Sequence, residues 1–250
     1  MKGLRLFGFW LLLNFSLADC LKTTQSCKGY DCLKTYVDKP DPAYGWEDTG
    51  HRMVVDDYLG RGGWTGYFLN ITSQQWLTPE KTSQHLWWHI MVVIVPANIE
   101  IFDTAGLWIT DGSNTADFQP DLTDYNMLVA ADMATATKAP VAALFQVPNS
   151  PILFADDVLQ SNRKEDAAIA FTWWHFLNDP TSDAEYLLNL PMTKAGVKAM
   201  DTVENFFMSD MAPAEIQELY RSWCVEERLD NVDGWCGGPS GNGHNSCGDG

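Results

Sequence analysis

One stretch of the chain, residues 85–96, restricts the fold more than any other, and it reads HLWWHIMVVIVP. From Ile90 to Val95 the residues are continuously apolar, with no alternation of polar and apolar side chains, and a proline follows. A continuous run of β-branched residues bounded by proline is typical of a strand covered on both faces. The stretch therefore predicts a strand at the centre of an α/β sheet.

Other strands and helices are predicted around this central strand. Three further strands, rich in aromatic and β-branched residues or closed by Asp-Gly or Pro, are predicted at residues 64–73, 105–110 and 141–147. Three helices are predicted at residues 128–138, 166–177 and 193–208, with Thr193 as the cap of the last. Because a helix lies between two of the predicted strands, the element order indicates an α/β fold.

The N-terminus has the features of a cleaved secretory signal peptide over residues 1–18. Lys2 and Arg5 precede a short apolar run, and Ser16 and Ala18 are small residues placed for cleavage after Ala18. The apolar run is too short to span a membrane, so no transmembrane segment is predicted. We divide the remaining chain into a Cys-bearing lead-in at 19–45, one domain at 46–208 and a divergent Gly/Cys-rich tail at 209–250.

Secretion changes how the cysteines and one asparagine are interpreted. The six cysteines are disulfide candidates in an oxidising compartment, with the pairing left open: Cys20, Cys27, Cys32, Cys224, Cys236 and Cys247. A zinc site formed by Cys224, Cys236, His244 and Cys247 is the alternative, but these residues lack the close Cys pair typical of zinc sites. Asn70 begins the sequon Asn-Ile-Thr and is the predicted glycosylation site.

The charge and the remaining motifs argue against several classes of ligand. The formal net charge is −17, which disfavours nucleic-acid binding because phosphates would be repelled. His85 and His89 would lie roughly 13 Å apart on a strand, too far to share a metal ion. The acidic stretch from Asp111 to Asp124 lacks the glycine that a calcium-binding loop needs at its sixth position. We therefore predict no metal and no cofactor.

Two further groups of polar residues have weaker interpretations. The acidic doublet Asp156-Asp157 lies near the end of a predicted element, where solvated capping is expected. Its alternative roles are to position the start of a helix or an amine of a substrate. His175 falls on the aromatic helix at 166–177 and is predicted to lie at the edge of the core.

Several long stretches resemble the family of PhoPQ-activated pathogenicity-related proteins, which includes a secreted autocrine proliferation repressor of social amoebae. The resemblance spans about residues 36–208, and it is carried by YVDKPDPAYGWE, WTGYFLNITSQQWLTPE, WWHIMVVIVP, ITDGSN, LVAADMATATKAPVAALFQVPNSPILF and LNLPMTKAGVKAMDTV. It implies an α/β-hydrolase-like fold, of which this chain carries the N-terminal half. Whether the tail from residue 209 is a genuine part of the protein is left open.

The resemblance also gives a possible role to the turn after the strand at 105–110. In the hydrolase-like fold the corresponding turn lends a backbone N–H to the oxyanion hole. Gly112, Ser113 and Asn114 are therefore the oxyanion-hole candidates, and Gly112 would let a ligand approach the backbone closely. The alternative is an ordinary Asp-Gly turn that leaves a strand.

The catalytic serine that such a fold uses is not found in the sequence. No Gly-x-Ser-x-Gly elbow occurs; the nearest stretch, around Ser240, lacks the final glycine and a preceding strand. Two hypotheses follow. The protein is a non-catalytic extracellular signalling or binding factor whose partner is an unidentified extracellular protein or receptor, or it is a truncated serine hydrolase of the esterase or peptidase type.

Overall fold

The computed structural model describes residues 31–101, 103–179, 183–214 and 216–218. The helices are α1 (Cys32–Asp38), α2 (Tyr125–Thr137), α3 (Glu165–Asn178) and α4 (Asn189–Met208), with a short 3-10 helix at Ala184–Tyr186. The strands are β1 (Gly45–Val55), β2 (Trp64–Gln75), β3 (Leu86–Pro96), β4 (Gly106–Ile109) and β5 (Val141–Leu144). The predicted α/β class is confirmed.

The five strands form one mixed sheet in the order β1-β2-β3-β5-β4. β1, β2 and β3 are antiparallel neighbours, and β3 also pairs antiparallel with β5. β4 and β5 are parallel, as expected of two strands that are joined by a helix, here α2. The turn after β4 therefore lies at the end of the sheet from which the chain enters α2.

Helices cover both faces of the sheet, which explains why β3 has no polar alternation. Every residue of β3 from His89 to Pro96 is buried. One face packs against the alanine-rich side of α2, and its core contains Phe68, Ile90, Val92, Ile94, Met127, Ala130, Ala134 and Phe145. The other face packs mainly against α4, and its core contains Leu69, Met91, Val93, Leu144, Ala195, Ala199, Val203 and Phe206. Small side chains on both helices let them approach the sheet closely.

Two elements differ from the sequence-based expectation. β1 was not predicted, because most of its side chains are exposed or half-buried and the apolar residues in GWEDTGHRMVV do not alternate. α4 begins at Asn189, so the prediction of Thr193 as its cap was wrong. The Thr193 hydroxyl instead donates to the carbonyl of Asn189 within the first turn.

A buried lysine joins the lead-in to the domain. The side chain of Lys194 on α4 is only 3% exposed, and its Nζ donates to the carbonyl of Lys39 at 2.7 Å. Nζ also lies 3.8 Å from the Asp41 carboxylate and 5.3 Å from the centre of the Tyr36 ring. Burial lowers the pKa of this ammonium, while Asp41 partly opposes that effect. α1 is thereby held against α4.

Several predictions concern residues outside the described part of the chain. These are the signal peptide at 1–18, the tail beyond residue 218 and the cysteines Cys20, Cys27, Cys224, Cys236 and Cys247. Cys32 is the first residue of α1. No helix in the described ranges combines the length and the apolar character that a membrane crossing requires.

Candidate functional site

The turn after β4 has a backbone conformation that requires glycine. Gly112 has a φ of 138°, which L-residues rarely adopt, and a Cβ there would lie 2.9 Å from Cζ of Phe118. The two residues before Gly112 are fixed to β5 and the loop after it, because Thr110 N donates to Leu144 O and Gln146 N donates to Asp111 O. The turn is therefore rigidly attached to the sheet.

A partly buried amide network lies behind the turn. The side-chain amide of Asn114 donates to Oε1 of Gln84 at 2.9 Å and to the carbonyl of Asn149 at 3.0 Å. The amide of Gln146 donates to the carbonyl of Ser113 at 3.0 Å, and the backbone N–H of Asn114 donates to the carbonyl of Ser150 at 2.8 Å. Asn114 thus uses both its side chain and its backbone N–H to hold the turn in place.

The other two oxyanion-hole candidates, Gly112 and Ser113, lie at a cavity. Within the described ranges, the backbone N–H groups of Gly112 and Ser113 have no hydrogen-bond acceptor, and both residues line a cavity of about 150 Å³. Ser150 and Lys164 line the same cavity, as do the carboxylate-bearing residues Asp111, Asp124 and Glu165. The cavity offers hydrogen-bond donors and one ammonium to a small polar group, but the carboxylates oppose a strongly anionic one.

The acidic stretch next to the turn has structural roles. Asp124 is the N-cap of α2, and its carboxylate accepts from the backbone N–H groups of Asn126 and Met127. Asp121 accepts from the backbone N–H and the hydroxyl of Thr123. In the part of the chain that the structure describes, no group of three or more His, Cys, Asp or Glu residues is arranged to hold a metal ion.

A serine–histidine pair that sequence reasoning missed lies inside the sheet. His89 is completely buried, with Nε2 2.9 Å from the Ser73 hydroxyl and Nδ1 3.1 Å from the carbonyl of Phe145. A carbonyl can only accept, so Nδ1 carries the proton and the serine hydroxyl donates to Nε2. Burial lowers the pKa of His89 to about 4. The two residues are close only because β2 and β3 pair, so no local motif could have found them.

Asn70, the predicted glycosylation site, is exposed on β2. Its side-chain amide donates to the Glu47 carboxylate on β1 at 2.9 Å. Because the Asn70 side chain is exposed, there is room for a sugar chain, and glycosylation stays a prediction.

The sheet and the helix between the parallel strands β4 and β5 together define an α/β protein with a mixed sheet. A family model described as PhoPQ-activated pathogenicity-related protein matches residues 33–218. The chain belongs to this family, as its sequence stretches predicted.

A curated relative and two solved structures are also similar to this chain. Autocrine proliferation repressor protein A of Dictyostelium discoideum is 34% identical over 174 residues, which are 70% of this chain and 32% of the relative. The chain therefore spans about a third of that relative's length. One structure of a glucuronoyl esterase from Solibacter usitatus is 15% identical with a TM-score of 0.36, covering 69% of this chain and 46% of the esterase. A second has a TM-score of 0.30 and 15% identity, covering 66% and 53%.

Proposed function

We propose that this protein is a secreted, non-catalytic factor that acts by binding a protein on the surface of cells. Its relative, an autocrine proliferation repressor, is by its name a protein that acts on cells from outside. The signal-peptide features of residues 1–18 and the sequon at Asn70 are what an extracellular protein would carry.

The absence of catalysis is supported by one observation, the burial of the serine–histidine pair. The Ser73–His89 pair lies fully inside the sheet, where neither side chain can reach a substrate. The cavity beside Gly112 is lined by carboxylates and one lysine, and its volume of about 150 Å³ is small for a substrate site. Ser113 and Ser150 also line this cavity, but no histidine is among the described residues that line it, so neither serine has an imidazole base beside it.

Binding to cells can be measured with the full chain after secretion from a eukaryotic host. The fluorescently labelled protein is added at increasing concentration to living cells of the organism that encodes it. We expect binding that saturates and that an excess of unlabelled protein displaces. Binding that rises linearly with concentration and resists displacement would contradict the proposal.

A second function, hydrolysis of an ester or peptide bond, is favoured by one observation. Gly112 and Ser113 keep backbone N–H groups without an acceptor in the described ranges, at the turn that supplies oxyanion-hole donors in hydrolase-like folds. This alternative also requires a serine nucleophile, and it predicts covalent reaction with a serine-directed probe. That measurement separates the two functions.

A further inference from the structure

A larger cavity lies away from the turn, between the loops that follow β2 and β5 and the C-terminal half of α3. Its volume is about 530 Å³, and it shares no lining residue with the cavity beside Gly112. Leu77 and Ala155 form apolar parts of its wall, and His175 and Tyr186 contribute their rings. Sites for small ligands commonly have this size and this mixture of apolar walls and few polar groups.

Three side chains at this cavity hold one another in a fixed arrangement. The Asp156 carboxylate accepts from the Tyr186 hydroxyl at 2.8 Å through one oxygen and from Nδ1 of His175 at 2.8 Å through the other. The rings of His175 and Tyr186 stack with their centres 4.0 Å apart. Burial and the neighbouring Asp156 raise the pKa of Tyr186, so its hydroxyl stays a donor.

This arrangement fixes which atoms remain for a ligand. A carboxylate can only accept, so Nδ1 of His175 carries a proton and Nε2 is the ring nitrogen left over. No acceptor or donor for Nε2 lies within the described ranges. The carboxylate of Asp156 therefore fixes the orientation of the His175 ring at the cavity.

The neighbouring Asp157 shows that the two acids of the doublet have different roles. Asp157 is only 2% exposed and forms an ion pair with Arg163, whose Nε lies 2.8 Å from Oδ2. The guanidinium lowers the pKa of Asp157. The expected solvated cap was therefore wrong for Asp157, whose charge is balanced by Arg163. Asp156 is 42% exposed at the side chain and faces the cavity.

The charge of the lining favours a cation. Besides Asp156, the cavity is bordered by the acidic residues Glu80, Asp179 and Asp183, against a single basic residue, Lys81. Fixed charges of one sign around a cavity with apolar walls raise the local concentration of the opposite charge. An ammonium or guanidinium group has only donors, which match the carboxylate oxygens.

We propose that this cavity binds an organic cation through an ammonium or guanidinium group, with Asp156 as its ionic partner and the ring of His175 as part of the wall. The cation is either a free amine or a lysine or arginine side chain of a partner protein. This inference does not depend on the proposed function, since it rests on a different part of the molecule.

Calorimetric titration of the full secreted chain tests the charge requirement directly. The probes are benzylamine and its neutral counterpart of the same shape, benzyl alcohol. We expect benzylamine to bind about tenfold more tightly than benzyl alcohol, because a charged hydrogen bond at a partly shielded site exceeds a neutral one. Equal affinities, or no heat from benzylamine, would overturn the proposal.

Matched variants locate the binding site. Asp156→Asn keeps the shape of the side chain and removes its charge, and we expect benzylamine affinity to fall about fivefold. Glu80→Gln removes a carboxylate that neither His175 nor Tyr186 contacts, and it should also weaken binding even if Asp156→Asn fails to fold. Asp132→Asn is the control, because Asp132 lies on α2 and pairs with Arg61. The same loss in Asp132→Asn as in the cavity variants would contradict the assignment.

A lysine-containing peptide distinguishes the two sources of the cation. A peptide that binds more tightly than benzylamine and loses affinity in Asp156→Asn indicates a partner protein. A peptide that binds more weakly than benzylamine, while benzylamine still depends on Asp156, indicates a free amine. Both results support the cation site.

Discussion

At the scale of single residues, Gly112 is the position where the turn depends most on one amino acid. Gly112→Ala places a Cβ in a backbone conformation with a φ of 138° and 2.9 Å from the Phe118 ring. We expect the free energy of unfolding to fall by about 1–3 kcal/mol. The measurement is a denaturant titration of the variant beside Gly50→Ala. Gly50 also has a positive φ, of 74°, but a Cβ there meets no atom within 4 Å. Gly50→Ala should therefore lose less free energy of unfolding than Gly112→Ala. Equal losses would show that the contact with Phe118 has no effect.

His89 makes the stability depend on pH in a defined direction. Its pKa is about 4 in the folded protein and 6.5 in an unfolded chain, so the unfolded state binds the proton more readily. The neutral His89 therefore contributes about 3 kcal/mol to the free energy of unfolding. This contribution is complete above pH 6.5 and is lost as the pH falls towards 4.

The His89 effect is measured as the change in melting temperature between pH 7 and pH 4. In His89→Gln the imidazole is gone, so the stability of this variant should fall less steeply with acid than that of the parent. His85→Gln is the control, since His85 directly precedes β3 and is only half-buried. A parent-like acid dependence in His89→Gln would contradict the assignment of the buried neutral imidazole.

At the scale of the elements, the sequence predicted the structure wherever the apolar pattern is local. The run from Ile90 to Val95 predicted β3, because burial on both faces removes polar residues from consecutive positions. β1 could not be predicted in this way, since it covers little of the core and its pairing with β2 stabilises it instead. The amide network around Asn114 and the Ser73–His89 pair join residues far apart in sequence, so only the folded sheet shows them.

The contact between α1 and α4 depends on Lys194 and can be tested by hydrogen exchange. Lys194→Met keeps the length of the side chain but leaves the carbonyl of Lys39 without its donor. We expect a loss of about 1–3 kcal/mol and faster amide exchange over residues 32–44 than in the parent. Lys138→Met, directly after α2 and paired with Glu100, should leave exchange in this segment unchanged. Unchanged exchange in Lys194→Met would show that apolar packing alone holds α1.

At the scale of the whole molecule, a protein that acts on cells from outside must pass through the secretory pathway. Expressed from its own first residue in a eukaryotic host, the protein should appear in the medium with Asp19 at its N-terminus and a sugar chain on Asn70. Edman sequencing and the mobility shift after removal of N-linked glycans measure the two features. Asn70→Gln should abolish the shift. Retention of the full chain inside the cell, with Met1 intact, would be incompatible with an extracellular function.

The central claim, a secreted factor without catalysis, is tested most directly by reaction with a fluorophosphonate, which labels activated serines covalently. The full chain is incubated with the probe beside an active serine hydrolase as a positive control. We expect the probe to label the hydrolase and not this protein. Labelling of this protein that heat denaturation abolishes would contradict the account and establish the hydrolase alternative, and Ser240→Ala would then show whether Ser240 is the reactive group.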